Sequence, residues 1–169
     1  MKPSTRLAVG LLAAVTAAPM PALLAPGIAV GEPAANAAAE IVPMAPNFRR
    51  CDFSAYTFIP ARGDGHAFAL TRFGPSAVSA EVHLLRARPD TRYDVRLIQA
   101  PRPSSAGCAA GDAGVASNAL VTDAVGIGTV TLTDTVQRGA TGAWVFISIP
   151  GEFSQTPEES YTSDYIASA

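Results

Sequence analysis

The sequence predicts an all-β protein, a single antiparallel β-sandwich of about seven or eight strands that follows an export signal. Three observations support this prediction. Short segments alternate apolar and polar residues with the two-residue period of a strand, Gly, Pro and Asp separate these segments, and no amphipathic helix of useful length occurs among them. A closed β-barrel would show the same pattern and is the alternative architecture.

Residues 1–37 have the order of a secretory signal peptide. A short basic segment precedes the uncharged apolar run 7–18, and small residues lead to the preferred cleavage site at Ala35-Asn36-Ala37. Cleavage at residues 37–39 or earlier, at residues 22–25, is the alternative. A membrane anchor is disfavoured, because the apolar run has about a dozen residues whereas roughly 20 are needed to cross a bilayer.

Cleavage after residue 37 would leave 132 of the 169 residues and change the formal charge from −2 to −3. This length suits one domain, predicted as a β-sandwich over residues 51–167 after a loose lead-in at residues 38–50. A mildly acidic chain with scattered arginines lacks the clustered positive field that nucleic acid requires, so nucleic acid is excluded as a main partner. No transmembrane segment is predicted after cleavage. The sequence therefore predicts a secreted protein or one of the cell envelope.

Cys51 and Cys108 are the two cysteines of the chain, and both follow the predicted cleavage site. In an oxidising compartment an isolated pair is most simply a disulfide. A metal or redox role is weaker, because the chain has neither C-x-x-C nor a histidine beside either cysteine. Closing this loop would stabilise the fold by about 4 kcal/mol in the chain-entropy model.

The first strands are predicted from aromatic and β-branched residues at 53–59 and 66–73, with a turn at 61–65 between them. The stretch 78–100 is predicted to form a β-hairpin. Apolar and polar residues alternate on both sides of Pro89-Asp90, a pair suited to a tight turn.

A long loop of small residues at 101–114 follows, which Cys108 would attach to the amino-terminal end. Further strands are predicted at 117–122, 126–133 and 143–149, and the last is hydrophobic on both faces, as a central strand should be. The tail at 156–167 opens with helix-start chemistry but then alternates like a strand, and a closing strand is favoured.

The exported part has two histidines, His66 and His83, and no lysine. A Ser–Lys dyad and a Schiff base are therefore excluded, and the G-x-S-x-G and H-E-x-x-H motifs are missing. No cofactor and no metal site is predicted. Within the predicted hairpin, His83 would lie opposite Arg96 with Glu81 diagonal to it, forming a surface cluster of little energetic value.

Arg62-Gly63-Asp64 is the tripeptide that integrins recognise, and it falls in a predicted exposed turn. Gly and Asp are also what a turn needs for its own geometry, so chance occurrence is the preferred interpretation. The same holds for Asp112, Asp123 and Asp134, which lie in glycine-containing loops without the spacing of a known calcium motif.

Three segments together resemble small exported β-sandwich proteins of mycobacteria and related actinobacteria, a group with no assigned activity. They are residues 84–99, residues 120–128 with the run Leu-Val-Thr-Asp, and the run Tyr-Thr-Ser-Asp at 161–164. The resemblance covers about residues 51–166 and implies a location outside the cytoplasm. The expected architecture is immunoglobulin- or fibronectin-like. A true immunoglobulin domain is excluded, because Trp144 follows both cysteines instead of lying between them.

The favoured hypothesis for function is a non-catalytic secreted or cell-envelope module that binds another protein or an envelope component. It follows from a clear sandwich pattern in a sequence that lacks catalytic motifs. One alternative is a small extracytoplasmic hydrolase using His66 or His83, which requires one of them within hydrogen-bond reach of a carboxylate and a hydroxyl. The other is a purely structural envelope component without a discrete ligand.

Overall fold

The computed structural model describes residues 38–59, 62–151 and 156–169. The predicted signal peptide at residues 1–37 lies outside the described residues. Regular structure in the described part is entirely β, and none of it forms a helix of the length and apolarity that membrane crossing requires. The strands are β1 (Glu40–Ala45), β2 (His66–Phe73), β3 (Ala77–Leu85), β4 (Arg92–Ala100), β5 (Val115–Val121), β6 (Gly128–Thr135), β7 (Gly142–Ile149), β8 (Glu159–Ser163) and β9 (Ala167–Ser168).

These strands form one antiparallel sheet in the order β5-β4-β7-β8-β1-β2-β3-β6, with β9 paired to β7. The two ends of this order, β5 and β6, contact each other. Gln99 on β4 also reaches β6, where its Nε2 donates to Asp134 Oδ2 at 2.7 Å and to the carbonyl of Thr135 at 2.9 Å. The sheet is therefore nearly closed on itself, and the all-β prediction is confirmed.

A single main core lies inside this sheet, built from the inward face of each strand. On β3 every second residue is buried, as the two-residue period predicts. β7 is buried almost throughout and lies between β4 and β8, which confirms its predicted central position. The largest fully buried side chains of this core are Tyr93, Tyr161, Leu84, Leu97, Leu120 and Ile147.

The predicted hairpin at residues 78–100 is wrong, although both of its strands exist. β3 pairs with β2 and β6, whereas β4 pairs with β5 and β7. Residues 86–91 therefore cross from one half of the sheet to the other, with left-handed backbone at Arg86 (φ 55°) and Asp90 (φ 48°). Turn chemistry specifies a reversal of the chain, but which edges pair is decided by strands that are distant in sequence.

β1 is a strand within the segment 38–50 that the sequence predicts as a loose lead-in. Pro43 disfavours a strand prediction here, because proline has no N–H to donate to a neighbouring strand and is found mainly on edge strands. β1 pairs with β2 along residues 40–44, and it pairs with β8 only beyond Pro43, at Met44 and Ala45. The proline thus lies where the second ladder has not yet begun.

The predicted strand at residues 53–59 is also wrong. This segment is a series of turns with one isolated bridge, between Arg49 and Ala55. Phe53 packs on the outer face of the sheet instead, where it meets the edge of Trp144 at a ring distance of 5.4 Å, whereas Phe58 is 97% exposed. Aromatic residues favour strands because they pack well on a half-buried sheet surface. Here Phe53 is packed because its segment covers the sheet, and the segment does not add a strand to it.

Cys51 and Cys108 form the predicted disulfide, with their Cα atoms 5.5 Å apart. The bond joins the segment after β1 to the long loop between β4 and β5. It lies beside a second cluster of buried residues on the outer face, which includes Trp144 and Phe146 with Phe48 and Phe53 packed against them. In the tail, β8 and β9 confirm the strand prediction over the helix.

Candidate functional site

Four connections meet at one end of the sheet, those that follow β1, β3, β5 and β7. The chain leaves the sheet at this end because neighbouring strands are antiparallel and these four run in the same direction toward it. The connections after β1 and β3, together with the first residue of β8, line a cleft of about 780 Å³ at this end. Its charged lining consists of Arg62, Asp64, Arg86, Arg88 and Glu159, and the rest of its lining is Pro46, Gly63 and Ala87.

The floor of this cleft is Glu159, the first residue of β8, which is only 3% exposed. Its two oxygens accept from different partners. Tyr161 donates its hydroxyl to Oε1, while Tyr93 donates its hydroxyl to Oε2 at 3.2 Å and Arg88 Nε lies 3.2 Å from the same oxygen. The carboxylate is thus hydrogen-bonded on both oxygens, as a buried charge must be.

Both tyrosines are fully buried, and burial disfavours the charged phenolate. Burial raises the pKa of Tyr93 to about 12, and the hydrogen bond to Glu159 acts in the same direction. Burial also raises the pKa of Tyr161, again with a contribution from its bond to Glu159. At neutral pH both hydroxyls therefore stay protonated and serve as donors to the carboxylate.

The same two hydroxyls also hold the backbone of two cleft loops. Tyr161 accepts from the N–H of Gly65 at 2.9 Å, in the loop before β2. Tyr93 accepts from the N–H of Arg88 at 3.2 Å, in the connection between β3 and β4. One buried carboxylate thus fixes both loops that carry the arginines of the cleft.

A third loop, residues 122–127, supports the connection at residues 86–91 from the other side. The hydroxyl of Thr122 donates to the carbonyl of Arg88 at 2.6 Å, and the N–H of Ala87 donates to the carbonyl of Gly126 at 3.1 Å. Gly126 has a φ of 77°, and a Cβ there would lie 2.2 Å from the carbonyl oxygen of Ala87. Glycine is required at this position by both backbone angle and space.

The three arginines of the cleft differ in their partners. Arg88 donates to Glu158 at 2.7 Å and pairs with Glu159, and the bond to Glu158 raises the pKa of its guanidinium. Arg62 and Arg86 are exposed, and the side chain of neither forms a hydrogen bond or an ion pair with another residue of the described part. These two guanidinium groups are therefore available to a ligand.

The tripeptide Arg62-Gly63-Asp64 forms one wall of this cleft. The carbonyl of Arg62 accepts from the N–H of Ser160 at 2.9 Å. Gly63 lies flat against a buried aromatic ring, since a Cβ there would come within 2.6 Å of Tyr161 Cζ. The backbone of the tripeptide is thus packed against β8 rather than projecting at a loop tip, while Arg62 and Asp64 are exposed.

The predicted cluster of Glu81, His83 and Arg96 does not form, because the hairpin that would have brought it together is absent. Glu81 and His83 do meet on the outer face of β3, where Glu81 Oε1 lies 3.0 Å from His83 Nε2. Thr129 Oγ1 of β6 lies 3.2 Å from His83 Nδ1, and the ring of Phe68 stacks on the imidazole at 4.6 Å. His66 is exposed at the start of β2.

Arg96 lies on the opposite half of the sheet, under the disulfide. Its Nη1 donates to the carbonyl of Cys108 at 3.3 Å, and its guanidinium lies 5.7 Å from the ring centre of Phe146. It contributes to packing of the outer aromatic cluster and is separate from the cleft.

Three of the predicted turn-forming aspartates have structural roles. Asp123 Oδ1 accepts from the N–H groups of Val125 and Ile127, and Asp112 Oδ2 accepts from the N–H of Ala109. Asp134 lies within β6 rather than in the predicted loop, and it accepts from Gln99 across the sheet. No group of three or more His, Cys, Asp or Glu side chains that could hold a metal occurs in the part of the chain that the structure describes.

Sequence reasoning missed the residues that make the cleft floor and most of its cations. Glu159 falls in the segment with mixed helix-start and strand signals, and Tyr93 and Tyr161 have the pattern of ordinary strand residues. Arg86 and Arg88 flank a turn with no motif around them. The one available signal is that Arg62, Arg86 and Arg88 all lie just outside strand ends, and only the topology shows that these ends coincide.

Comparison of the chain with models of protein families, with curated proteins and with solved structures gave no match.

Proposed function

We propose that this protein is an exported, non-catalytic binding module of the cell envelope or extracellular space, and that its ligand occupies the arginine-lined cleft. The observation that carries the proposal is the pair of exposed guanidinium groups, Arg62 and Arg86, which have no partner among the described residues and line a cleft with a fixed floor. Ligand sites are commonly concave and largely preformed, with a few polar groups placed on rigid supports.

The chemistry of the floor favours binding over proton transfer. A general acid or base works best with a pKa near the operating pH and with access to the substrate. Glu159 is buried and accepts on both oxygens, and Tyr93 and Tyr161 keep their protons far above neutral pH. Such a network positions loops and leaves the arginines at the rim as the groups that meet a ligand.

Export is supported by the order of charge and hydropathy at residues 1–37 and by the disulfide between Cys51 and Cys108, a bond that persists in oxidising compartments. We place the protein with the exported actinobacterial group that its sequence resembles. We also favour a sandwich over a closed barrel. Only two residue pairs join β1 to β8, no ladder joins β5 to β6 among the described residues, and the two four-stranded halves share one core.

Binding of the exported, disulfide-bonded protein to isolated cell envelopes tests this function. We expect saturable binding that is lost when both Arg62 and Arg86 are changed to alanine. Arg138→Ala is the matched control, since Arg138 is an exposed arginine at the opposite end of the sheet and should bind like the wild type. Equal binding by all three proteins would favour the purely structural role, in which the envelope holds the protein through another surface.

The second candidate function, a hydrolase using His83, has one observation in its favour. Glu81, His83 and Thr129 have the order carboxylate, imidazole and hydroxyl at hydrogen-bond distances. The group lies on the face of a continuous sheet, however, where ladders with β2 and β6 engage the backbone of β3, so no preformed oxyanion site accompanies it. Hydrolysis of activated esters that disappears in Thr129→Ala would favour this candidate, and activity indifferent to Thr129 would remove it.

A further inference from the structure

We propose that the ligand of the cleft is an acidic carbohydrate, a polyhydroxylated unit that carries a carboxylate or a phosphate. The inference rests on the proposed function, because it takes the cleft as the ligand site and adds the chemistry of what the site recognises. Three features of the cleft lead to it: its free cations, its exposed acceptor and its size.

The cations define the anionic part of the ligand. Arg62 and Arg86 belong to different loops, yet both line one cleft, and neither is neutralised by a described residue. Arginine presents a planar fork of donors that matches the two oxygens of a carboxylate or phosphate. Arg88 adds positive charge behind them, although Glu158 and Glu159 engage it.

The backbone of Arg86 at this rim has an uncommon conformation. Its φ of 55° is in the left-handed region, which a residue with a Cβ rarely adopts. Glycine would occupy this conformation without steric cost. Arg86 thus presents a side chain with no partner in the described part from a left-handed backbone, a conformation that Phe53 (φ 70°) and Asp90 (φ 48°) share.

The remaining lining defines the body that carries the anion. Asp64 presents an exposed carboxylate on the same wall as Arg62, and carboxylates accept from ligand hydroxyls. Of the described lining residues, only Pro46 and Ala87 have apolar side chains, so a hydrophobic ligand would find little area to bury. A ligand rich in hydroxyl groups uses Asp64 and the arginines together.

The size of the cleft excludes a lone inorganic ion as its full occupant. A volume of about 780 Å³ lies within the range of roughly 300–1,000 Å³ that small organic ligands occupy. Cleavage after residue 37 changes the formal charge from −2 to −3, so the exported chain as a whole does not attract a long polyanion. A short acidic saccharide or a terminal acidic sugar fits both limits.

Titration calorimetry with four probes tests the inference on the exported, disulfide-bonded protein. The probes are trigalacturonate, glucose 6-phosphate, neutral maltotriose and inorganic phosphate. We expect trigalacturonate or glucose 6-phosphate to bind at least about tenfold tighter than maltotriose or inorganic phosphate. Which of the two acidic sugars binds shows whether the site recognises a carboxylate or a phosphate. Arg62→Ala with Arg86→Ala should weaken this binding by about tenfold or more, while Arg138→Ala should leave it unchanged.

The other outcomes overturn the inference in distinguishable ways. Equal affinity for an acidic sugar and for inorganic phosphate would mean that the cleft does not recognise the sugar. Equal affinity for trigalacturonate and for maltotriose would mean that it does not recognise the anionic group. If no probe binds but envelope binding still depends on Arg62 and Arg86, the carbohydrate inference fails and the proposed function stands. If envelope binding is also independent of both arginines, both fail.

Discussion

Tyr93 and Tyr161 hold opposite oxygens of one buried carboxylate. Tyr161 donates to Oε1 of Glu159 and accepts from the N–H of Gly65, while Tyr93 donates to Oε2 and accepts from the N–H of Arg88. The two phenols come from β8 and β4, which lie on either side of β7. Because each phenol connects the carboxylate to a different loop, the positions of Arg62 and Arg88 depend on the same buried group.

Glu159→Gln should destabilise the protein by about 1–3 kcal/mol, since the amide nitrogen would face a donor and the charge that pairs with Arg88 would be lost. Urea denaturation of the disulfide-bonded protein measures this change. Glu158→Gln is the matched control, because exposed Glu158 pairs with the same arginine at the surface and its loss should cost less than about 1 kcal/mol. Equal losses in the two variants would contradict a structural network at the floor of the cleft.

Alkaline pH should destabilise the protein through the same tyrosines. An unfolded tyrosine has a pKa of about 10, and burial raises the pKa of Tyr93 to about 12 in the folded state. The stabilisation that comes from this raised pKa of Tyr93 is complete below about pH 10. It is lost as the pH rises from about 10 toward the folded pKa, because in this range the tyrosine releases its proton only in the unfolded chain. The free energy of unfolding should fall by about 1.4 kcal/mol per pH unit for each buried tyrosine.

Chemical denaturation at about pH 8 and about pH 11 checks this slope, with Tyr93→Phe as the comparison. The variant is expected to be less stable at both pH values, because it loses the bonds to Glu159 and Arg88, but to have a smaller pH dependence than the wild type. The same slope in both proteins would show that Tyr93 does not keep its proton in the folded state.

Gly126→Ala should be among the most damaging single changes in the cleft loops, at about 2–4 kcal/mol. A Cβ would collide with the backbone carbonyl of Ala87 at 2.2 Å, in addition to the cost of the left-handed φ of 77°. Gly139→Ala isolates the collision, because Gly139 also has a positive φ, 85°, but a Cβ there would have nothing within 4 Å. Thermal or urea unfolding that gave equal losses would mean that the loop at residues 122–127 moves away without cost.

Much of the fold follows from the sequence, because burial of one face of a strand produces a two-residue period in its sequence. This period can be recognised without knowing which strands it pairs with. β2, β5, β6 and β7 lie where alternation and turn residues predict them, within one or two residues. Strand pairing could not be predicted in the same way. β3 pairs with β2 and β6, and β4 pairs with β5 and β7, but both strands would show the same alternation if they paired with each other. The disulfide was predictable because it requires only two cysteines and an oxidising compartment.

The candidate site was predictable only in fragments. Arg62 and Asp64 stand out in the sequence as part of a short motif, and their position on the cleft wall is unrelated to that motif. Glu159 becomes the floor only because β8 lies two strands from β4 in the sheet, a relation between residues 66 positions apart. The position of a site that is assembled from several loops depends on long-range topology, so no local sequence pattern predicts it.

Arg86→Gly gives the sharpest separation of structure from binding at the cleft. The left-handed backbone at φ 55° costs a residue with a Cβ about 1 kcal/mol, and glycine removes that cost while adding chain entropy to the unfolded state. The free energy of unfolding should therefore stay the same or rise by up to about 1 kcal/mol. Affinity for an acidic sugar should fall by about tenfold at the same time, because one of the two guanidinium groups that have no described partner is gone.

Arg138→Gly provides the opposite pattern as a control. Arg138 is exposed and is not among the residues of positive φ, so glycine there should lower stability by about 0.5–1 kcal/mol and leave affinity unchanged. Denaturation and calorimetry on the same two preparations measure both quantities. If Arg86→Gly lowered stability and kept full affinity, Arg86 would be a structural residue of the β3–β4 connection and not a ligand contact.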